Sequence, residues 1–516
     1  MTFAQQQLDR ACRKIPVINS VIRRYGDISL RDYLEKLRVR AEMSFPCAAD
    51  FYTVVQEKAA SLWGKSAAGK IVQDLRHCPF ILTSNHLGVE YFAQSFQSML
   101  MLSLPSFADP SGSAGSVPVF SFGNIPLNNL TYPRGLLIYH TEDIKHMPAR
   151  LPLFPNRYKR CIAGRGKPFD LPMIQRAQKM LGKMLHQKMI PPKTVGAVKE
   201  ILQKNYCAEA VLMQSSYSRQ SSLVNRAMWK EFFADPLKVP ELAYFEIENI
   251  AGRLLEYDLK NPQSLAYNVM FAPKLRENVL GELEGIKGCW KRKELLHRMS
   301  APLSNQGHPK QSGTVFFWGT DKKGRRIPLF PEDDGKYQNL RGKDDQGRIR
   351  TFPYSPLSLL EGIRTKRLLP SLFTCFLLLS FARGIACIGG YFQAAYLPAM
   401  QQGLLRAIKK TGGYHDVIPL LSKVPTDLYL SGMLAGMSRS GNSGLIPAGP
   451  AEIIAGGKIR PPHIDKMLSL TVRDAHIAGL FETLPDILSP EEFPADWKQT
   501  LASDCFCLLA EKTAVI

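Results

Sequence analysis

Between Cys78 and Leu100 the chain reads CPFILTSNHLGVEYFAQSFQSML, a short apolar run followed by Ser-Asn-His, a glycine and a long amphipathic segment. This pattern predicts a buried strand feeding a helix through a tight polar turn. In an open α/β sheet, ligands sit at the carboxyl ends of strands, where helix N-termini offer free backbone N–H groups and a positive dipole. Thr83, Ser84, Asn85, His86 and Gly88 are therefore the leading pocket candidates. The arrangement recurs about 300 residues later, where GIACIGG predicts a strand ending on two glycines and YFQAAYLPAMQQGLLRAI a helix. Two such turns can line one crevice.

The remaining segments predict an α/β chain with a mostly parallel sheet, helical flanks and inserted β-hairpins. Residues 1–75 are helical and polar, with Leu30, Tyr33, Leu34 and Leu37 at helical spacing. Residues 76–170 hold the first part of the core: after the first strand come VPVFSFG as a second, the turn GNIPLNNLTYPRG, and LLIYH as a third. Residues 171–300 are mainly helical, with AEAVLMQSS as a further strand candidate. In 301–353, TVFFWGTDKKGRRIPLF alternates around a Lys-Lys-Gly turn, a hairpin signal, and EDDGKYQNLRGKDDQGRIR follows as a second hairpin or loop. Residues 354–412 form the second part of the core, and 413–516 a C-terminal loop and helical region. The window Leu368–Met400 is the most apolar, but Arg383 and Gly384 interrupt it, so no stable membrane span is expected.

A formal net charge of +21 points to anionic partners. Aromatic residues are not interleaved with the basic clusters as a stacking platform requires, so an anionic small molecule is favoured over nucleic acid. The ten cysteines are scattered, which suits free thiols and a cytoplasmic setting. Cys505 and Cys507 are the only close pair, and no zinc-type spacing accompanies them. No metal site is expected, and Asp321, Asp333, Asp334, Asp344 and Asp345 read as solvated. Paired carboxylates, Walker loops and nucleophile elbows do not stand out.

Taken in order, these segments resemble the cysteine-adding enzyme family of bacillithiol synthesis, a ligase family with a Rossmann-like core. ILTSNHLGVEYFAQSFQ is similar to its first strand and helix, and VPVFSFGN to its second strand and polar turn. FFWGTDKKGRRIPLF is similar to its hairpin, and SPLSLLEGIRTKRLLPS with IACIGGYFQAAYLPAMQQGLL to a later segment. The resemblance covers roughly residues 75–410. Gly123, Asn124 and Ile125 stand where the family has an acidic and histidine turn, and Tyr391, Phe392 and Gln393 where it has Pro-Gly-Glu. The family's long coiled coil is not evident after Leu405. These departures imply a changed substrate or reaction.

The resemblance implies a biosynthetic, nucleotide-dependent ligase or transferase, with ATP as the expected cofactor, that joins the amine or thiol of a cysteine-like amino acid to an anionic small molecule. His86 and Asn85 are the expected catalytic pair. Ser84, Gly88, Asn124, Asn128, Asn129, Arg134, Gly389, Gly390, Tyr391 and Gln393 are the expected substrate contacts, the amides and Arg134 suiting carboxylates or hydroxyls. His86 and Gly88 also resemble a reduced His-x-Gly-His turn of class I synthetases, with Val89 at the second histidine. GMSRSGNSG resembles the Lys-Met-Ser-Lys-Ser loop of that superfamily, making Ser438, Arg439 and Ser440 candidate nucleotide contacts. The plainer alternatives are a capping or core histidine at 86 and a surface loop at 436–444. As whole-protein alternatives, a non-catalytic binding protein on the same fold and an RNA-associated enzyme remain.

Overall fold

A computed structural model describes residues 1–42, 47–108, 115–300, 313–332 and 338–516. Its strands are, in chain order, β1 (Phe80–Leu82), β2 (Ser116–Ser121), β3 (Gly135–Ile138), β4 (Ala149–Pro152), β5 (Glu241–Glu246), β6 (Phe317–Thr320), β7 (Arg326–Pro328), β8 (Phe330–Pro331), β9 (Asn339–Lys343), β10 (Ile349–Pro353), β11 (Leu368–Pro370), β12 (Ala386–Gly390), β13 (Tyr429–Ser431), β14 (Gly436–Ser440), β15 (Gly444–Pro447) and β16 (Ala514–Val515). Five of them form one sheet in the order β13-β12-β1-β2-β5, and every neighbouring pair is parallel.

The sheet divides two cores by the period-two alternation of its side chains. Leu82, Val119, Leu242, Tyr244, Ala386 and Ile388 pack on one side, with the helices Ala93–Ala108, Tyr217–Glu231 and Val472–Ile487. Ile81, Phe120, Ala243, Phe245 and Cys387 pack on the other, with Ala49–Trp63, Lys65–His77, Ile247–Asp258 and Gln393–Thr411. Burial on both faces explains why these strands read as continuous apolar runs. Arg383 fixes the approach to β12: its guanidinium bonds Asp258 at 2.9 Å and Asp50 at 2.6 Å, joining two of the covering helices.

Several expectations need correction. LLIYH contributes β3, but β3 pairs antiparallel with β4 in a separate two-stranded ribbon, since the short connection between them allows a hairpin and no parallel crossover. AEAVLMQSS holds the short helix Glu209–Leu212, and the missed core strand is β5, ELAYFE, which follows Pro240. Residues 413–516 carry β13 of the main sheet and the small sheet β15-β14-β16, as well as helices. Both hairpins form, β6 with β7 and β9 with β10. Asp344 is buried among Arg348 and Arg350, and Asp345 bonds Arg160 and Arg325, so neither is a solvated acid. Asp333 and Asp334 lie outside the described residues. No helix among the described residues is long and apolar enough to cross a membrane.

Candidate functional site

Both neighbours of β1 are needed to see where a ligand fits. The chain leaves β1 for β2 on one side, and only much later fills the other side with β12. Connections therefore diverge at the carboxyl end of β1, which opens a crevice there. A cleft of about 730 Å³ occupies this place. Its floor is made by Thr83, Ser84 and His86 after β1, by Phe122, Asn124, Asn129 and Thr131 after β2, by Gly390, Tyr391 and Gln393 after β12, and by Ser431 ending β13.

The floor is knitted by side-chain hydrogen bonds. Gln393 donates its amide to the Thr83 hydroxyl at 2.8 Å, and Gln94 donates to Ser431 at 3.2 Å. His86 Nδ1 lies 3.2 Å from Thr131 Oγ1, while the Asn129 carbonyl oxygen accepts from the Thr131 backbone at 3.3 Å. Behind the floor, Glu248 accepts the backbone N–H groups of Gly123 at 2.8 Å and Asn124 at 2.9 Å, fixing the turn after β2. Burial, then the neighbouring charge of Glu246, pushes the Glu248 carboxyl up to about 8. Glu246 and Glu248 are thus a buried carboxylate pair that the sequence reading missed; Glu-x-Glu at the end of an apolar strand was its available signal.

Two walls rise from elsewhere in the chain. On the β2 side stand Trp318 and Arg326 of the β6-β7 hairpin. The Arg326 guanidinium lies over the Trp318 ring at 4.4 Å and donates one N–H to the Asn124 carbonyl at 3.0 Å. No carboxylate pairs with it among the described residues, and burial lowers it to about 10, still a cation at neutral pH. On the β12 side stand Glu482 and Asp486, one turn apart on the helix Val472–Ile487, whose start is capped by Thr471. Asp486 accepts the Tyr391 hydroxyl at 2.6 Å, and Glu482 accepts the Tyr139 hydroxyl. Burial pushes Glu482 up to about 7 against the opposing effects of Tyr139 and Lys498. The strands these walls adjoin, β2 and β12, are two strand spacings apart, roughly 10 Å. The segment Gly285–Lys291 completes the enclosure and includes Cys289, whose buried thiol is pushed well up and kept protonated.

Of the expected site residues, Ser84, His86, Asn124, Asn129, Gly390, Tyr391 and Gln393 meet at this cleft. The others do not line it. Asn85 is fully buried and donates to Glu90 at 3.0 Å and to the Ser95 carbonyl at 3.3 Å, so it braces the turn instead of facing a substrate. Gly88 packs against Pro133 and its carbonyl accepts from Asn225. Asn128 is exposed outside the cleft, Arg134 donates inward to the Phe154 carbonyl at 2.9 Å, and Gly389 packs under Gln393. Ser438, Arg439 and Ser440 lie on β14 in the small sheet. Ser438 bonds His140 at 2.9 Å and Arg439 covers Phe506, so this strand is no phosphate clamp of the cleft; its serines and glycines serve a β-turn. No group of three or more metal-ligating side chains is assembled among the described residues.

Fold and site together define an α/β protein with a two-sided charged cleft at the carboxyl ends of its parallel strands. No protein-family model, curated protein or solved structure matches the chain.

Proposed function

We propose that this cleft is the active site of a ligase or transferase that joins the amine or thiol of an amino acid to an anionic small molecule activated by a nucleotide, on a Rossmann-like core. The observation that carries the reading is the pairing of unlike walls: Arg326, a cation without a carboxylate partner among the described residues, faces a cleft that also holds Glu482, a carboxyl pushed up to about 7. A guanidinium with free N–H groups suits a carboxylate or phosphate. A carboxyl titrating near neutrality is poised as general base, since it is both ionised enough to take a proton and basic enough to hold one. In the proposed step the nitrogen or sulfur of the amino acid attacks the activated acyl carbon. The new bond forms, the C–O bond to the leaving phosphate breaks, and the nucleophile's proton passes to Glu482. Asp486 and the Tyr391 hydroxyl hold the amino end of the incoming amino acid, as ammonium when sulfur attacks and as the neutral amine when nitrogen does, and His86 with Asn124 and Asn129 orients the acceptor.

Incubation with ATP, pooled amino acids and a panel of carboxylate and phosphate metabolites tests this, with mass spectrometry for conjugates and an assay for released phosphate or diphosphate. Conjugates that form with the wild-type chain and disappear in Glu482→Gln support it. Ligand-induced thermal stabilisation without turnover of any panel member would instead establish a binding protein on the same fold.

A further inference from the structure

The segment Gly285–Lys291, GIKGCWK, contributes every one of its residues to the cleft wall, yet nothing in the proposed chemistry has used it. Its backbone turns sharply twice, with Gly285 at φ 80° and Gly288 at φ 89°, a region that favours glycine. Gly285 N–H donates to the Trp290 carbonyl at 2.9 Å and Cys289 N–H to the Ile286 carbonyl at 3.0 Å, closing the loop on itself. Trp290 pins it to the core: its indole N–H donates to the Leu280 carbonyl at 3.0 Å and its ring packs edge-on against Phe316 and Phe373. The backbone N–H groups of Lys287 and Gly288 make no hydrogen bond among the described residues.

The Lys287 ammonium sits 3.0 Å above the centroid of Phe392, directly after the floor residue Tyr391. It forms no ion pair among the described residues; partial burial pulls its pKa down despite the opposing charge of Asp486. Arg326 on the other wall is a buried guanidinium with no acid partner among the described residues. Leaving the buried Arg326 guanidinium unpaired is unfavourable unless a ligand supplies the opposite charge, and Lys287, solvent-exposed but lining the same cleft, adds a second positive charge toward that ligand. Backbone donors, a glycine that permits close approach and a lysine on a pinned loop are the elements that hold a phosphate chain.

We propose that the loop Gly285–Lys291 binds the polyphosphate of a nucleoside triphosphate, with Lys287 as its principal charge contact. This rests on the reading of the cleft as an active site and assigns the nucleotide to the wall beside β12. The volume of about 730 Å³ accommodates a ligand of that size.

Calorimetric titration of the full chain with inorganic triphosphate, ATP and citrate tests the assignment. Triphosphate and ATP are expected to bind, with affinity falling about tenfold or more in Lys287→Gln, the usual worth of a hydrogen bond to a charged group. Lys287→Arg should retain binding, as should Arg439→Gln on the remote strand β14. Equal triphosphate affinity in Lys287→Gln overturns the proposal. Binding of citrate without triphosphate overturns it too, while leaving the cleft as an anion site. Triphosphate binding with no conjugate formed would spare this inference and count against the ligase reading alone.

Discussion

On the floor of the cleft polar side chains answer one another, Gln393 to Thr83, Gln94 to Ser431 and His86 to Thr131, whereas on its walls Arg326 and Lys287 have no acid partner among the described residues and the Glu482 carboxyl is pushed up to about 7. The floor is made by residues at or after strand ends, and several of its polar side chains are tied to one another by hydrogen bonds. The walls are made by segments brought from far away, and in the proposed reading their charges meet a bound ligand. The contrast separates what maintains the crevice from what acts in it.

Substitutions should divide along that line. The largest effect is expected from Arg383→Met, which leaves Asp258 buried and unpaired beneath β12; urea denaturation should show a loss of about 3–5 kcal/mol. Glu248→Ala deprives the Gly123 and Asn124 N–H groups of their acceptor, and a loss of about 2–4 kcal/mol is expected by the same measurement. Gly389→Ala places a methyl group against Gln393 and should cost about 1–3 kcal/mol through overpacking. By contrast, Arg326→Gln on the wall breaks no ion pair among the described residues; stability should change by under about 1 kcal/mol while anion affinity falls about tenfold. A wall substitution that unfolds the chain, or a floor substitution that leaves stability untouched, would erase the distinction.

The pH profile offers a finer test. Glu90, Glu248 and Glu482 titrate at about 7, 8 and 7 in the folded chain, each raised from 4.5 chiefly by burial. A raised folded pKa contributes stability that is complete below the unfolded value and is lost as pH climbs through the folded one. Stability should therefore decline from pH 5 toward pH 8. His476 runs the other way: burial lowers it from 6.5 to about 4, so its contribution is complete above 6.5 and lost as pH falls through 4. Glu482→Gln should flatten the alkaline decline without altering the acid limb, as read by thermal melts across the range.

The floor was legible in the sequence because each of its parts is a local signal. ILTSNHLG and IACIGGYFQ each join an apolar run to a polar or glycine turn, and the parallel pairing of β1 with β12 brings them together. The sequence could not show that Asn85 turns inward to Glu90 while His86 faces the cleft, since adjacent residues after a strand point to opposite sides. The walls carry weaker marks. Arg326 was visible only as part of a hairpin turn, and Lys287 lay in a stretch read as helical. Glu482 and Asp486 are two acids one turn apart on a mostly apolar helix, a pattern that could have been read. Ser438–Ser440 illustrates the opposite hazard, because a short match of serines, glycine and a cation is equally the composition of a hairpin.

The partnership of β1 with β12 also has a temporal side. Phe80 is synthesised 306 residues before Ala386, so at about 5–20 residues per second the exposed edge of β1 waits roughly 15–60 s on the ribosome for its neighbour. The nascent chain thus carries an unpaired strand edge through most of its own translation, and the acids of the far wall arrive later still.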